Sequence, residues 1–145
     1  MKMNELSLTF SSIPDNVSVA RMLIASLGSQ LDLSINDIEE IKVAVSEAVS
    51  NAIIHGYGNR EDCLVQLKIN IDEESFAIRI QDQGCGIPDV EKAMQPAYST
   101  DPERMGLGFV FMQSFMDELQ VESTVDQGTT VSMVKFLKQN PTSSH

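Results

Sequence analysis

The sequence has no tryptophan, two cysteines in 145 residues, and 10 basic side chains against 21 acidic ones. The resulting formal net charge of −11 excludes direct nucleic-acid binding as a leading function, because phosphates are neutralised by a basic surface. A basic protein partner suits it better. Cys63 and Cys85 form neither a CxxC pair nor a Cys/His ligand set, so a structural metal is not indicated and reduced thiols are expected. No apolar run approaches membrane-spanning length, and the N-terminus lacks the basic-then-apolar pattern of a signal peptide. A cytoplasmic location, with no membrane contact, is the expectation. The third glycine of G-x-G-x-x-G is replaced by Asp89 after Gly84 and Gly86, and by Phe111 after Gly106 and Gly108. The Walker pattern is missing as well. Rossmann and P-loop nucleotide binding are thereby excluded.

What remains is a chain with 42% hydrophobic residues, which suits one globular domain over residues 1–145 with a single core. Residues 139–145 are expected to form a frayed polar tail. Leu6, Leu8 and Phe10 alternate and predict a first strand. Ser12 to Asn16 supplies turn and N-cap chemistry for a helix whose apolar stripe is Val17, Ala20, Ile24, Leu27 and Leu31, with Arg21 facing outward. Ser34 and Asp37 have capping-box spacing and open a second helix, apolar almost all round, that Gly56-Tyr57-Gly58-Asn59 ends. Val65 to Ile71 and Phe76 to Ile80 alternate about a polar turn and predict a hairpin. The segment from Ile87 to Met105 carries Pro88, Pro96 and Pro102 and reads as a lid. A helix from Gly106 follows, with Leu107, Val110, Phe111, Phe115 and Leu119 as its apolar face. A last hairpin turns at Asp126-Gln127-Gly128. Strand hairpins with three helices predict an α/β sandwich: a mixed, mostly antiparallel sheet with helices packed on one face.

The second helix carries a polar anomaly. Glu47, Asn51 and His55 recur at i, i+4 and i+8, about 100° away from the stripe Ile38, Ile41, Val45, Ala48 and Ala52 that feeds the core. Such a line is either a buried hydrogen-bond network or one wall of a ligand site, and the stretch alone does not decide between them.

The glycines tilt the balance. Gly106 and Gly108 open a helix, where free N–H groups and the helix dipole favour phosphate oxygens. Asp82 ends a strand beside Gly84 and Gly86, where a carboxylate can accept from an exocyclic amine. Mg²⁺ needs few protein oxygens when phosphates and waters complete its shell, so the Asn51 amide suffices. Glu47, one turn away, is placed to deprotonate an attacking hydroxyl.

Glu47…Asn51, Asp82-x-Gly84-x-Gly86, Gly106-x-Gly108 and Gly128-Thr129 occur in the order of the motifs of the ATPase superfamily that includes gyrase, a heat-shock chaperone, histidine kinases and MutL. Ser46 to Tyr57, Met105 to Phe109 and Phe115-Met116-Asp117 resemble the anti-sigma factor serine kinases, over residues 4 to 138. The resemblance implies the Bergerat-type ATP-binding fold and two linked activities: holding a sporulation sigma factor, and phosphorylating a serine of an anti-anti-sigma factor with Mg-ATP. It also implies a homodimer, for which an edge strand or sheet face near Leu6 to Phe10 is a candidate surface. Transferred position by position, Glu47 is the general base, Asn51 the Mg²⁺ ligand and Asp82 the adenine-reading carboxylate. Gly84, Gly86, Gly106 and Gly108 allow close approach of ATP or ADP, and Thr129 supports the adenine end. Arg104 matches an arginine that reaches the γ-phosphate, and Arg21 one that both protein partners contact. His55 belongs with the nucleotide-binding residues as a phosphate contact or as a structural residue. Cys85 reads as incidental, and Met112 and Met116 as core. A non-catalytic sigma-binding module and a detached histidine-kinase catalytic domain are the rival readings.

Overall fold

The computed structural model describes residues 3–95 and 105–137. In chain order these give β1 (Asn4–Ser11), α1 (Asp15–Gly28), α2 (Ile35–Asn51) with a π-helical turn (Ala52–Gly56), β2 (Leu64–Ile71), β3 (Ser75–Asp82), α3 (Val90–Ala93), α4 (Met105–Phe115), β4 (Glu118–Thr124) and β5 (Gly128–Phe136). Both the tail and Arg104 lie outside the described residues. No helix among those described is long and apolar enough to cross a membrane.

The five strands form one sheet in the order β1-β2-β3-β5-β4. Every pairing in it is antiparallel, so among the described residues the sheet lacks the parallel component that a mixed sheet allows. Register follows from alternation, because a slip by one residue would turn every apolar side chain outward. Leu67 faces Ile80 and Ile69 faces Ile78 across β2 and β3, and Ile80 faces Val131 across β3 and β5. These side chains are buried beneath α1, α2 and α4, whereas Lys68, Asn70, Arg79 and Gln81 on the other face are exposed. Helices therefore cover one face only. Each buried Leu, Ile or Phe contributes about 1.5–3 kcal/mol through apolar area removed from water.

The second helix begins as its caps dictate: Ser34 Oγ accepts from Asp37 N at 3.0 Å, and Asp37 Oδ2 accepts from Ser34 N at 3.2 Å. It buries Ile41, Ala44, Val45, Ala48 and Val49, yet Val43 is 36% exposed and Glu39 pairs with Lys42 on an outer face. It is a covering helix, not an enclosed one. Gly28 closes α1 because a Cβ there would meet Ile38 of α2 at 2.9 Å.

Four expectations need correction. Ser12 does not cap α1; its hydroxyl is fully buried, donates to Arg60 O and accepts from Cys63 N, tying β1 to the loop before β2. Pro14 holds the cap position without a side-chain bond. Leu31 lies beyond the end of α1, packed against the core from the following loop. In α4 the buried line is Phe109 and Met112, continued by Met116 just past the helix end, while Leu107 is 38% exposed, Phe111 and Phe115 stack on the flank, and Leu119 belongs to β4. Such an apolar helix offers two stripes, and the one that brings Gly106 and Gly108 inward prevails. Met112 and Met116 are core residues, as expected.

Candidate functional site

The site forms where the end of α2, the end of β3 and the start of β5 converge. A narrow cleft between them is lined by Asn51, His55, Gly56, Asp82, Gly86 and Thr129 on its polar side and by Ala52, Ile87, Phe109 and Val131 on its apolar side. Its free volume of ≈ 20 Å³ holds about one water. A larger occupant requires the cleft to widen.

The helical wall is not one regular stack. At Ala52 the winding widens, and Tyr57 N donates to Ala52 O at 2.9 Å across five residues instead of four. Asn51 keeps its four-residue step from Glu47, but His55 leaves the repeat and lines the cleft from the widened turn. The turn then closes on Gly58 and Asn59, both at positive φ (59° and 66°). Asn51 Nδ2 is buried with no hydrogen-bond partner among the described residues. Glu47 is half-buried one turn earlier, and burial alone raises its carboxyl above the usual glutamate range. No cation or hydrogen bond among the described residues offsets that effect. Both side chains face the start of α4, where a Cβ on Gly108 would lie 3.0 Å from Glu47 Oε2 and 3.5 Å from Asn51 Nδ2. The N-terminus of α4 thus closes against the carboxylate and the amide together.

At the opposite end Asp82 is buried, with Oδ1 accepting from Gly84 N at 2.9 Å. Burial raises its pKa, and the nearby Gly84 and Thr129 N–H groups pull against that rise. Asp82 and Thr129 are register partners across β3 and β5, so the sheet itself holds them side by side.

The glycines serve this packing directly. A Cβ on Gly84 would stand 2.0 Å from Gly56 O, and one on Gly86 (φ 76°) 2.3 Å from Thr124 O. One on Gly106 would meet Gln95 O at 2.7 Å, and one on Gly128 would meet Asp82 O at 2.1 Å. What these glycines accommodate in the structure is protein backbone. Gly56, whose Cβ would fall 2.8 Å from Asp82 Oδ1, joins the site although sequence reasoning saw only a helix end there. Cys85 is more than incidental in its main chain: its N donates to Gly56 O at 2.9 Å and its O accepts from Asp126 N at 2.8 Å. The structure therefore brings together Asn51, His55, Asp82, Gly86 and Thr129 around the cleft, with Glu47 and Gly108 at its α4 end. Arg21 stands apart, exposed on α1 in a shallow groove with Ser18, Met22, Ala25 and Lys42.

Residues 10–135 match the histidine kinase-like ATPase domain family. The chain is 48% identical over 140 residues to an anti-sigma F factor of Clostridium novyi, covering 95% of this chain and 98% of that protein. The chain belongs to the anti-sigma F factor family. Other members include that of Geobacillus kaustophilus, 45% identical over 139 residues with 94% of this chain and 95% of that protein covered, and that of Priestia megaterium, 46% identical over 137 residues with 92% and 93% covered. Among solved structures, the RsbU and RsbW domains of a Mycobacterium tuberculosis protein superpose with a TM-score of 0.65 at 19% identity, over 94% of this chain and 33% of that one. A blue-light activated histidine kinase of Erythrobacter litoralis gives a TM-score of 0.56 at 27% identity over 77% of this chain and 34% of that one. The anti-sigma F factor family thus carries, in this chain, the histidine kinase-like ATPase fold, with ATP or ADP the ligand that the fold implies.

Proposed function

We propose that this chain antagonises a sporulation sigma factor and, with Mg-ATP, phosphorylates a serine on an anti-anti-sigma protein. One observation carries the nucleotide part: a cleft with the buried Asp82 carboxylate and Thr129 at one end, and Asn51, Glu47 and a helix N-terminus at the other. The base end offers an acceptor for an exocyclic amine, and the α4 end offers N–H groups to phosphate oxygens. Gly84, Gly86, Gly106 and Gly108 keep the backbone close around that ligand, and His55 lies within reach of it. Asn51 would hold a hard cation through its Oδ1, since Mg²⁺ accepts a single amide oxygen among phosphates and waters, while its buried Nδ2, a donor with no partner among the described residues, suits a phosphate oxygen. When bound, the ion supplies charge neutralisation to the phosphate chain.

Glu47 then acts as general base, accepting the serine hydroxyl proton as the oxygen bonds to the γ-phosphorus and the bond to the β,γ-bridging oxygen breaks. Its burial supports this role, because a carboxyl with a raised pKa is the better proton acceptor. Arg104, outside the described residues, is the expected counter-charge to the γ-phosphate. Arg21 is proposed as the contact for both protein partners, and the chain is proposed to work as a cytoplasmic homodimer.

The test is phosphoryl transfer from γ-labelled ATP to the anti-anti-sigma protein. Wild-type protein labels a serine, Glu47→Gln reduces the rate by at least about 10²-fold, and Asn51→Ala weakens it through loss of Mg-ATP binding. An unlabelled partner under saturating Mg-ATP would favour the non-catalytic sigma-binding module instead.

A further inference from the structure

The short connection from Asp82 to Ile87 carries the carboxylate and two of the glycines, and its path is held by hydroxyls from outside the cleft. At its first peptide, Gln83 N donates to Tyr57 Oη at 2.7 Å. The phenol has a single proton, and it donates that proton to Leu64 O at 2.5 Å, so its lone pairs are left to face Gln83. Tyr57 is only 9% exposed, which fixes the ring between the π-helical turn and β2. At the far end, Ile87 N donates to Ser123 Oγ at 2.7 Å. Ser123 Oγ also lies 2.8 Å from Thr129 Oγ1 and 3.1 Å from Gly128 O. Its one proton can serve only one of these two acceptors at a time. If it goes to Gly128 O, Thr129 donates to Ser123 and turns its lone pairs to the cleft; if it goes to Thr129, the threonine proton is free for a ligand acceptor.

We propose that Tyr57 and Ser123 are positioning residues for nucleobase selection: together they fix both ends of the Asp82–Ile87 connection, and Ser123 sets the donor or acceptor sense of the Thr129 hydroxyl. The proposal rests on the nucleotide reading above. Neither hydroxyl lines the cleft, so both act through Asp82 and Thr129. Adenine and guanine differ in the amine and carbonyl that a carboxylate and an oriented hydroxyl would meet, so the loss should fall on discrimination between them. Among the described residues, neither hydroxyl makes a hydrogen bond to the phosphate end built from α2 and α4.

Tyr57→Phe and Ser123→Ala each remove one oxygen and keep the shape. The experiment titrates full-length wild type and both variants with ATP, GTP and inorganic tripolyphosphate, following each by calorimetry, with thermal unfolding recorded for all three proteins. The expected result is an ATP affinity lowered about tenfold in each variant, an ATP-over-GTP ratio narrowed by a similar factor, and tripolyphosphate affinity within about twofold of wild type. A ratio that stays at the wild-type value in both variants overturns the proposal while leaving the nucleotide reading intact. A parallel fall for ATP, GTP and tripolyphosphate also overturns it, since that is the signature of general loosening. Wild-type protein that binds both ATP and GTP without preference overturns this inference alone, whereas wild-type protein that binds neither overturns the nucleotide reading and this inference with it. Should Tyr57→Phe fail to fold, Ser123→Ala decides by the same ratio.

Discussion

Glu47 is a carboxylate kept half-buried with nothing among the described residues to stabilise its charge. Its folded pKa is raised, so between the unfolded and folded values the native state binds more protons than the unfolded chain. Stability contributed by this group is therefore present below that window and declines as pH rises through it. Glu47→Gln should accordingly raise the melting temperature at neutral pH while slowing phosphoryl transfer by at least about 10²-fold, and the gain should shrink as pH falls through the raised pKa. Thermal scans from pH 4 to 8 check this; a variant less stable than wild type at neutral pH would mean that the carboxylate makes a stabilising contact. The same shift places the acid limb of the transfer rate above the pH at which a free glutamate titrates. That Asn51 and Glu47 share one helix face was legible from their four-residue spacing in a helix of apolar periodicity. The roles of Tyr57 and Ser123 were not legible, because they depend on hydrogen bonds across 26 and 36 residues of sequence, which no local pattern records.

Among the elements, hairpin β2–β3 and both ends of α2's capping box were readable because alternation and caps are local properties. The phase of α4 was not, since its residues are apolar on more than one face and the choice of stripe belongs to α2 and its own glycines. The π-helical turn was hidden for a related reason: Ala52 to Gly56 has no composition that distinguishes five-residue from four-residue winding, and what rewards the wide turn is the contact of Gly56 with Asp82 and Gly84. This contact gives a graded prediction. Gly84→Ala would force a Cβ to 2.0 Å from Gly56 O, backbone against backbone, and should cost about 3 kcal/mol or more. Gly58→Ala meets nothing within 4 Å and suffers only from its φ of 59°, so about 1 kcal/mol is expected. Urea titrations of the two variants check the difference; equal losses would show that conformational strain, not the close approach, governs the turn.

At the scale of the molecule, one sheet face is covered by helices and the other is polar and open, and both β1 and β4 are edge strands. The fold therefore separates its surfaces: the cleft at the C-terminal end of α2, and the exposed groove of Arg21, Met22 and Lys42 elsewhere along the helices. Arg21→Ala removes an exposed side chain, so stability should change by less than about 0.5 kcal/mol while binding of sigma and anti-anti-sigma partners weakens and ATP affinity stays the same. The net charge of −11 then separates self-association from partner binding. Two copies of this chain repel one another across any shared interface, and that repulsion is screened over about 10 Å at 0.1 M salt. Homodimerisation should therefore tighten as salt rises from low to moderate concentration. A basic partner is instead drawn in by the same field, so its association should slow and weaken over that range. Sedimentation equilibrium of the chain alone, and titration with the sigma factor, both run across one salt series, measure the two slopes. Slopes of the same sign would mean that local charges at one of the interfaces, such as Arg21 and Lys42 meeting acidic residues, outweigh the field of the whole protein.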